Sequence, residues 1–165
     1  MKVCIRVSTL ADIPVVLHLR DAARRIMRQC GNMAQWPDGV PQDSVFEADI
    51  AARVSHIVEV DGRPVASFAL LKGPDPTYAV VSGGLGWRRP DADYYVIHRL
   101  ASDGSVPGVF AAVMDFCSAV ADLRIDTHKD NAIMRHLLAK YGFTHVGTIF
   151  LADGSPRMAF QRLKA

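Results

Sequence analysis

Two short segments of this 165-residue chain combine residue types that do chemistry with spacing that suits a ligand. In the first, an apolar-rich run from Tyr94 to Ala101 and Ser102 leads into a turn containing Gly104 and Gly108. A helical pattern begins at Gly108. A turn that feeds a helix start presents backbone N–H groups without partners and the positive end of the helix dipole. Such a turn can hold a pyrophosphate, and its glycines permit unusual backbone angles and close ligand approach. The same pattern also fits an ordinary strand-to-helix connection. In the second segment, the apolar run Leu123 to Thr127 passes through His128, Lys129, Asp130 and Asn131 into a helical pattern that closes on Tyr141-Gly142-Phe143. Asp126, His128 and Asp130 alternate, so an extended chain would place all three on one face, as a metal site would need. Asp130-Asn131 also fits a helix cap. We read a cap and expect no metal.

Other residues carry a functional and a structural reading side by side. Trp36 and Trp87 lie in loops rich in glycine and proline. They line an acceptor pocket or cover the edge of the core. His98 lies in the predicted central strand and His128 just past a strand end, where sites of α/β proteins gather. Each is a proton acceptor or a residue of the framework. Ser82-Gly83-Gly84-Leu85-Gly86 has the wrong spacing for a dinucleotide fingerprint, and no helical pattern follows it. No GxSxG nucleophile elbow is present.

The elements that must position these residues follow from hydrophobic period and punctuation. Val3 to Val7 reads as a strand. Thr9 with Asp12 marks a helix start, Pro14 falls in its first turn, and the helix ends near Cys30-Gly31. Residues 32–43 read as a loop. Ser44 with Glu47 gives a second capping-box signature. Strands at about His56 to Val60 and Pro64 to Leu71 flank the turn Asp61-Gly62, a hairpin signal. Tyr78 to Ser82 is a further strand candidate within a segment of Gly, Pro and Asp. Then come the strand Tyr94 to Ala101, a helix from about Gly108 to Ala121, the strand Leu123 to Thr127 and a helix from about Asn131 to Tyr141. Strands near Phe143 to Leu151 and Arg157 to Leu163 close the chain. The order predicts one α/β domain over residues 1–165, a mixed sheet with helices on both faces.

At this point the chain resembles the GNAT superfamily of N-acetyltransferases. The matching text is IHRLA at 97–101, RIDTHKDN at 124–131 and AKYGF at 139–143. The stretches QWPDGVP at 35–41 and GSPRMA at 154–159 are similar to one bacterial branch of it. The resemblance runs from about Ile5 to Arg162, and it rests on the order and spacing of the motifs together. It implies a central mixed, largely antiparallel sheet with two parallel strands splayed apart, and acetyl-coenzyme A as co-substrate. It implies that the pantetheine arm pairs with backbone around Leu100, Ala101 and Ser102. A backbone N–H of this stretch would polarise the thioester carbonyl. The pyrophosphate would rest on Gly104, Ser105, Val106, Gly108, Val109 and Phe110, with Asn131 positioning the cofactor from the next helix.

The family's phosphate loop reads Q/R-x-x-G-x-G/A, and this chain has Ser105-Val106-Pro107-Gly108-Val109-Phe110. Pro107 has no N–H to offer. Phe110 either turns into the core and leaves its N–H free, or blocks the site. Where many members carry a tyrosine acid, this chain has Leu138, and Tyr141 and Ser102 are the substitutes. An alkylammonium must lose a proton before it attacks. Glu47, Asp49, His98 and His128 are the base candidates, and Trp36, Glu47 and Trp87 would shape the acceptor pocket. The resemblance therefore implies acetyl transfer to an amine of a small molecule or peptide. The alternative is a GNAT-fold module that binds coenzyme A or another ligand without efficient transfer.

Composition fits both. The formal net charge of +2, without a long basic run, argues against a nucleic-acid partner. Arg6, Asp12 and Pro14 interrupt the N-terminal apolar run before a signal core forms, and no apolar stretch approaches a membrane span. Cys4, Cys30 and Cys117 have neither disulfide nor zinc spacing, which predicts reduced thiols and a cytoplasmic setting. The C-terminal hairpin offers an edge on which two copies could pair.

Overall fold

The computed structural model describes residues 1–165. Seven strands form one sheet: β1 (Val3–Val7), β2 (Ser55–Val60), β3 (Arg63–Lys72), β4 (Tyr94–Ser102), β5 (Asp122–Thr127), β6 (Thr144–Phe150) and β7 (Pro156–Arg162). Their spatial order is β1-β2-β3-β4-β5-β7-β6. Every neighbouring pair is antiparallel except β4 with β5, which are parallel. The helices are α1 (Ile13–Gln29), α2 (Asp43–Ala51), α3 (Val109–Cys117) and α4 (Ala132–Lys140).

Strand alternation assigns the helices to faces. On β2, Ile57 packs with Val16 of α1 and with Phe46 and Ile50 of α2. Its neighbours Val58 and Val60 point the other way, to Phe110, Val113 and Met114 of α3 and Leu138 of α4. The larger core is therefore on the α3/α4 side. The opposite face is covered by α1 and α2 toward β2. Toward β7 it is covered by the loop between β3 and β4, through Tyr78 and Trp87 against Tyr94, Val96, Val146, Ile149 and Ala159.

The local signals explain most element ends. Asp61 and Gly62 both have positive φ, 52° and 80°. That is the geometry of a two-residue turn joining twisted antiparallel strands, and β2 and β3 pair directly across it. Asp12 Oδ2 accepts the Thr9 N–H at 2.7 Å at the start of the helical segment. Asn131 caps α4, its Oδ1 accepting the Met134 N–H at 3.1 Å. Three expectations change. Ser44 is not a cap: α2 begins at Asp43 with Gln42 at its N-cap. Tyr78 to Ser82 is not a strand. Pro76–Tyr78 form a 3-10 turn, and only Ser82 makes a β-bridge, to Thr148. Asp75 starts this turn by accepting the Thr77 N–H at 2.9 Å. Finally, α3 stops at Cys117, short of Ala121. No helix is long and apolar enough to cross a membrane.

Candidate active site

The parallel pair is short. β4 and β5 share register only at Tyr94 with Asp122, Tyr95 with Leu123 and Val96 with Arg124. Past Val96 they part. On the other side of β4 the register against β3 also breaks, since Ala69 faces His98 but Ser67 faces Ala101. The extra residue makes a bulge at Arg99, whose φ is 54°. A non-glycine residue held there costs about 1–2 kcal/mol, so surrounding contacts must hold it. Arg99 Nε and Nη2 donate to both carboxylate oxygens of Asp49 at 2.6 and 2.7 Å. This bidentate pair fastens α2 to the bulge. It engages both Asp49 oxygens, and Asp49 lines neither of the two clefts that flank the opening.

A cleft lies on each side of the opening. The first, about 420 Å³, is lined by Leu100, Ser102, Gly104, Gly108, Val109, Phe110 and Asn131. Tyr141 and Lys140 also line it. Gly108 is the N-cap of α3 with φ 81° and no side-chain cap. The first bond of this helix runs from the Ala112 N–H to the Gly108 carbonyl, so the amides of Val109, Phe110 and Ala111 precede the helical ladder. The Phe110 ring is buried in the core beside Tyr141, 5.2 Å between centroids. It therefore leaves the loop's N–H groups unobstructed. This is the donor set a pyrophosphate needs, and the residues fit acetyl-coenzyme A in kind.

The side chains of three residues expected at the cofactor do not line this cleft. Ala101 is fully buried toward α1, among Leu19, Ala23 and Trp36. Val106 packs on the main core. Ser105 is exposed and committed, donating its O–H to Asp103 at 2.5 Å and accepting from Arg63 at 2.9 Å.

The second cleft, about 610 Å³, lies over the other face and is lined by Trp36, Asp75, His98, Asp126, His128 and Arg157, among others. Leu100, Asn131 and Met134 line both clefts, so the two meet where the strands part. Gln35 ties this junction. Its Oε1 accepts from Asn131 Nδ2 at 3.0 Å and from the Thr127 hydroxyl at 3.3 Å.

His98 Nε2 lies 2.9 Å from Asp75 Oδ2. Hydrogen bonding from His98 holds the Asp75 carboxyl below the usual range. Beside this pair, the buried Tyr78 hydroxyl donates to Asp126 Oδ1 at 2.5 Å. Burial and the neighbouring Asp126 charge push the Tyr78 phenol well above its ordinary value, so it remains a donor. His128 Nδ1 accepts the Asp130 N–H at 3.0 Å, and burial lowers its pKa. That bond uses the lone pair a base would need.

Two other expectations are corrected. Glu47 is exposed on α2 and lines neither cleft, because Phe46, Asp49 and Ile50 take the inward face. Trp87 does not line the acceptor cleft either. It stacks on Tyr78 at 5.6 Å and covers the Arg124 guanidinium at 4.1 Å, with Tyr94 on that cation's other side at 3.7 Å. Asp126, His128 and Asp130 do not gather as ligands: no group of three acidic, His or Cys side chains is placed to hold a metal. Asp75, Tyr78 and Arg157 carried no sequence signal as site residues. Only the packing of the β3–β4 loop and β7 brings them in.

A mixed sheet whose one parallel pair opens between two clefts defines a split-sheet α/β fold. The structure matches a GNAT-family acetyltransferase from Streptococcus agalactiae with TM-score 0.86 and 26% identity, over 99% of this chain and 96% of that one. One from Listeria monocytogenes matches with TM-score 0.71 and 16% identity over 98% and 94%. The Escherichia coli ribosomal-protein-S18-alanine N-acetyltransferase matches with TM-score 0.63 and 13% identity over 99% and 95%. No family model and no curated protein matches the sequence. The chain belongs to the GNAT superfamily.

Proposed function

We propose that this protein transfers an acetyl group from acetyl-coenzyme A to an amine of a small molecule or peptide, by direct attack in a ternary complex. One observation carries the reading: the clefts on the two sides of the β4–β5 opening meet at Leu100, Asn131 and Met134. Acetyl-coenzyme A, when bound, supplies the reactive thioester.

Each residue then has a task. The α3 start, at Gly108, Val109 and Phe110, binds phosphate oxygens with backbone N–H groups. Backbone of Leu100 to Ser102, released from β5, pairs with an extended arm like an added strand. The bulge at Arg99 takes amides out of the β3 ladder, and one of these donates to the carbonyl oxygen as negative charge develops there. His98 is the base. In the neutral tautomer that donates Nε2–H to Asp75, its Nδ1 lone pair accepts the ammonium proton. Ser102 and Tyr141, both on the cofactor cleft, are the hydroxyls placed to return a proton to the leaving thiolate. Leu138 stands where many relatives carry the acid and is fully buried without a polar atom, which favours a second reading, ligand binding without efficient transfer.

Calorimetric titration with acetyl-coenzyme A, followed by amine-dependent release of free thiol, tests the proposal. Saturable binding with amine-dependent release supports acetyl transfer. Binding without release supports the second reading, and absence of binding at millimolar ligand overturns both.

A further inference from the structure

Arg157 is 8% exposed and enters no ion pair. Its one hydrogen bond runs from Nη1 to the Pro156 carbonyl at 2.9 Å. A buried cation without a counter-ion is costly, and a guanidinium offers five donors. Arg157 lines the acceptor cleft, and its remaining N–H groups have no partner in the protein. Asp153 is near enough to feel this charge, yet its Oδ1 is taken by the Ser155 N–H and O–H.

The position of Arg157 in the sheet is specific. Asp126 pairs with Ala159, and Arg157 lies two residues from Ala159 on the same face of β7. Val96 pairs with Arg124, so His98 and Asp126 continue that face on β4 and β5. Three adjacent strands therefore present a base, a carboxylate and an unpaired guanidinium in one row along the acceptor cleft. Diagonal neighbours of this kind have Cα atoms about 7–8 Å apart. Asp126 and Arg157 do not neutralise each other: Asp126 holds Tyr78 through Oδ1 and leaves Oδ2 without a protein partner.

We infer that the acceptor is an amino acid with a free carboxylate, its ammonium held by Asp126 beside His98 and its carboxylate held by Arg157. The inference rests on the acetyl-transfer reading for its chemistry, and it adds the anionic group the acceptor must carry. A planar guanidinium fits a carboxylate with two parallel N–H bonds, and a carboxylate in the site supplies the missing counter-charge. An acceptor whose carboxylate is masked would leave Arg157 buried and unpaired.

The test uses the full-length protein, saturating acetyl-coenzyme A, and two probe sets: the standard amino acids and their carboxamides. Thiol release and calorimetric binding are both read. At least one free amino acid is expected to bind and react, with its carboxamide at least tenfold poorer in kcat/KM. Arg157→Gln is expected to raise KM for the acid at least tenfold and to abolish the preference over the amide, with the acetyl-coenzyme A titration unchanged. Arg157→Lys should recover part of the preference by restoring charge without the fork. Carboxamides as good as acids, a preference surviving in R157Q, or no amino acid binding at all would each overturn the assignment. If R157Q does not fold, the wild-type comparison of acid with amide decides alone. Failure of acetyl-coenzyme A to bind would instead mark failure of the acetyl-transfer reading.

Discussion

His98 and Asp75 lie 2.9 Å apart, joined from a strand and the start of a 3-10 turn that are 23 residues apart in sequence. The turn is itself built by Asp75, which accepts the Thr77 N–H through Oδ1 while Oδ2 faces the imidazole. One carboxylate thus fixes both the local backbone and the ring. His98→Gln is expected to lower kcat by about 100-fold or more, the usual worth of a positioned base. Asp75→Asn keeps an oxygen for Thr77 but loses the charge, and should lower kcat about tenfold. Neither should alter the acetyl-coenzyme A titration. On the proposed role of His98 as base, Asp75 acts through the ring, so the double variant should be no slower than H98Q alone. Additive losses would show that Asp75 works by another route.

Asp12 contributes to stability against acid. Arg6 donates to both of its oxygens, at 2.8 and 3.0 Å, and also to Glu59 at 2.9 Å. The Arg6 bonds hold the Asp12 carboxyl at about 2, against an unfolded value of about 3.9. A lowered carboxyl pKa stabilises the fold above the unfolded value. That stabilisation is lost as pH falls toward the folded one. Asp12→Asn should cost about 1–2 kcal/mol at pH 7, since partial exposure of Arg6 weakens the pair. The gap between wild type and D12N in chemical denaturation should narrow from about pH 4 to about pH 2. A constant gap across that window would remove Asp12 from the account of acid unfolding.

The architecture was legible wherever a signal is local. Asp61-Gly62 marks its hairpin because two adjacent residues must both adopt positive φ. Asn131 marks the start of α4 because a cap reaches only three residues on. The glycine turn between β4 and α3 was legible for the same reason. The acceptor side was far less legible. Glu47 completes a capping pattern with Ser44, but the inward side of α2 is fixed by Phe46, Asp49 and Ile50 meeting α1 and β2. Arg99 in positive φ could not be read from its neighbours, since the bidentate bond that holds it comes from a residue 50 positions away. Trp87 looked like a pocket wall because its loop is rich in glycine. In the fold that loop lies down on the sheet, and the indole covers Arg124 instead.

Close approach of that loop to β6 gives a stability prediction. A Cβ added at Gly84 would lie 2.5 Å from the Val146 carbonyl oxygen and 2.9 Å from its carbon. Both are backbone atoms and cannot turn away. Gly84→Ala should cost about 2 kcal/mol, a fall in Tm of about 4–8 °C for a domain of this size. Gly86, two residues on, has φ 76° and open space around its Cβ position. Gly86→Ala should therefore cost only backbone strain, about 1 kcal/mol. Equal Tm values for the two variants would mean that the Gly84 contact yields freely.

The cysteines report on the cofactor cleft without requiring turnover. Cys117 is buried in the main core, and desolvation pushes its thiol up to about 12. Alkylation proceeds through the thiolate, so iodoacetamide should leave Cys117 untouched until the protein is denatured. Cys4 and Cys30 are exposed and should react in the native state. They differ in place: Cys4 lies on the edge strand β1, and Cys30 lines the cleft assigned to acetyl-coenzyme A. Saturating acetyl-coenzyme A should slow modification of Cys30 several-fold and leave Cys4 unchanged, as read by mass spectrometry of digested protein. A large acceptor bound only on the other side of the β4–β5 opening should protect neither. Protection of Cys4, or of neither thiol at saturation, would place the cofactor outside the cleft at the α3 start, because a ligand on Gly108 and Val109 shares that cleft's walls with Cys30.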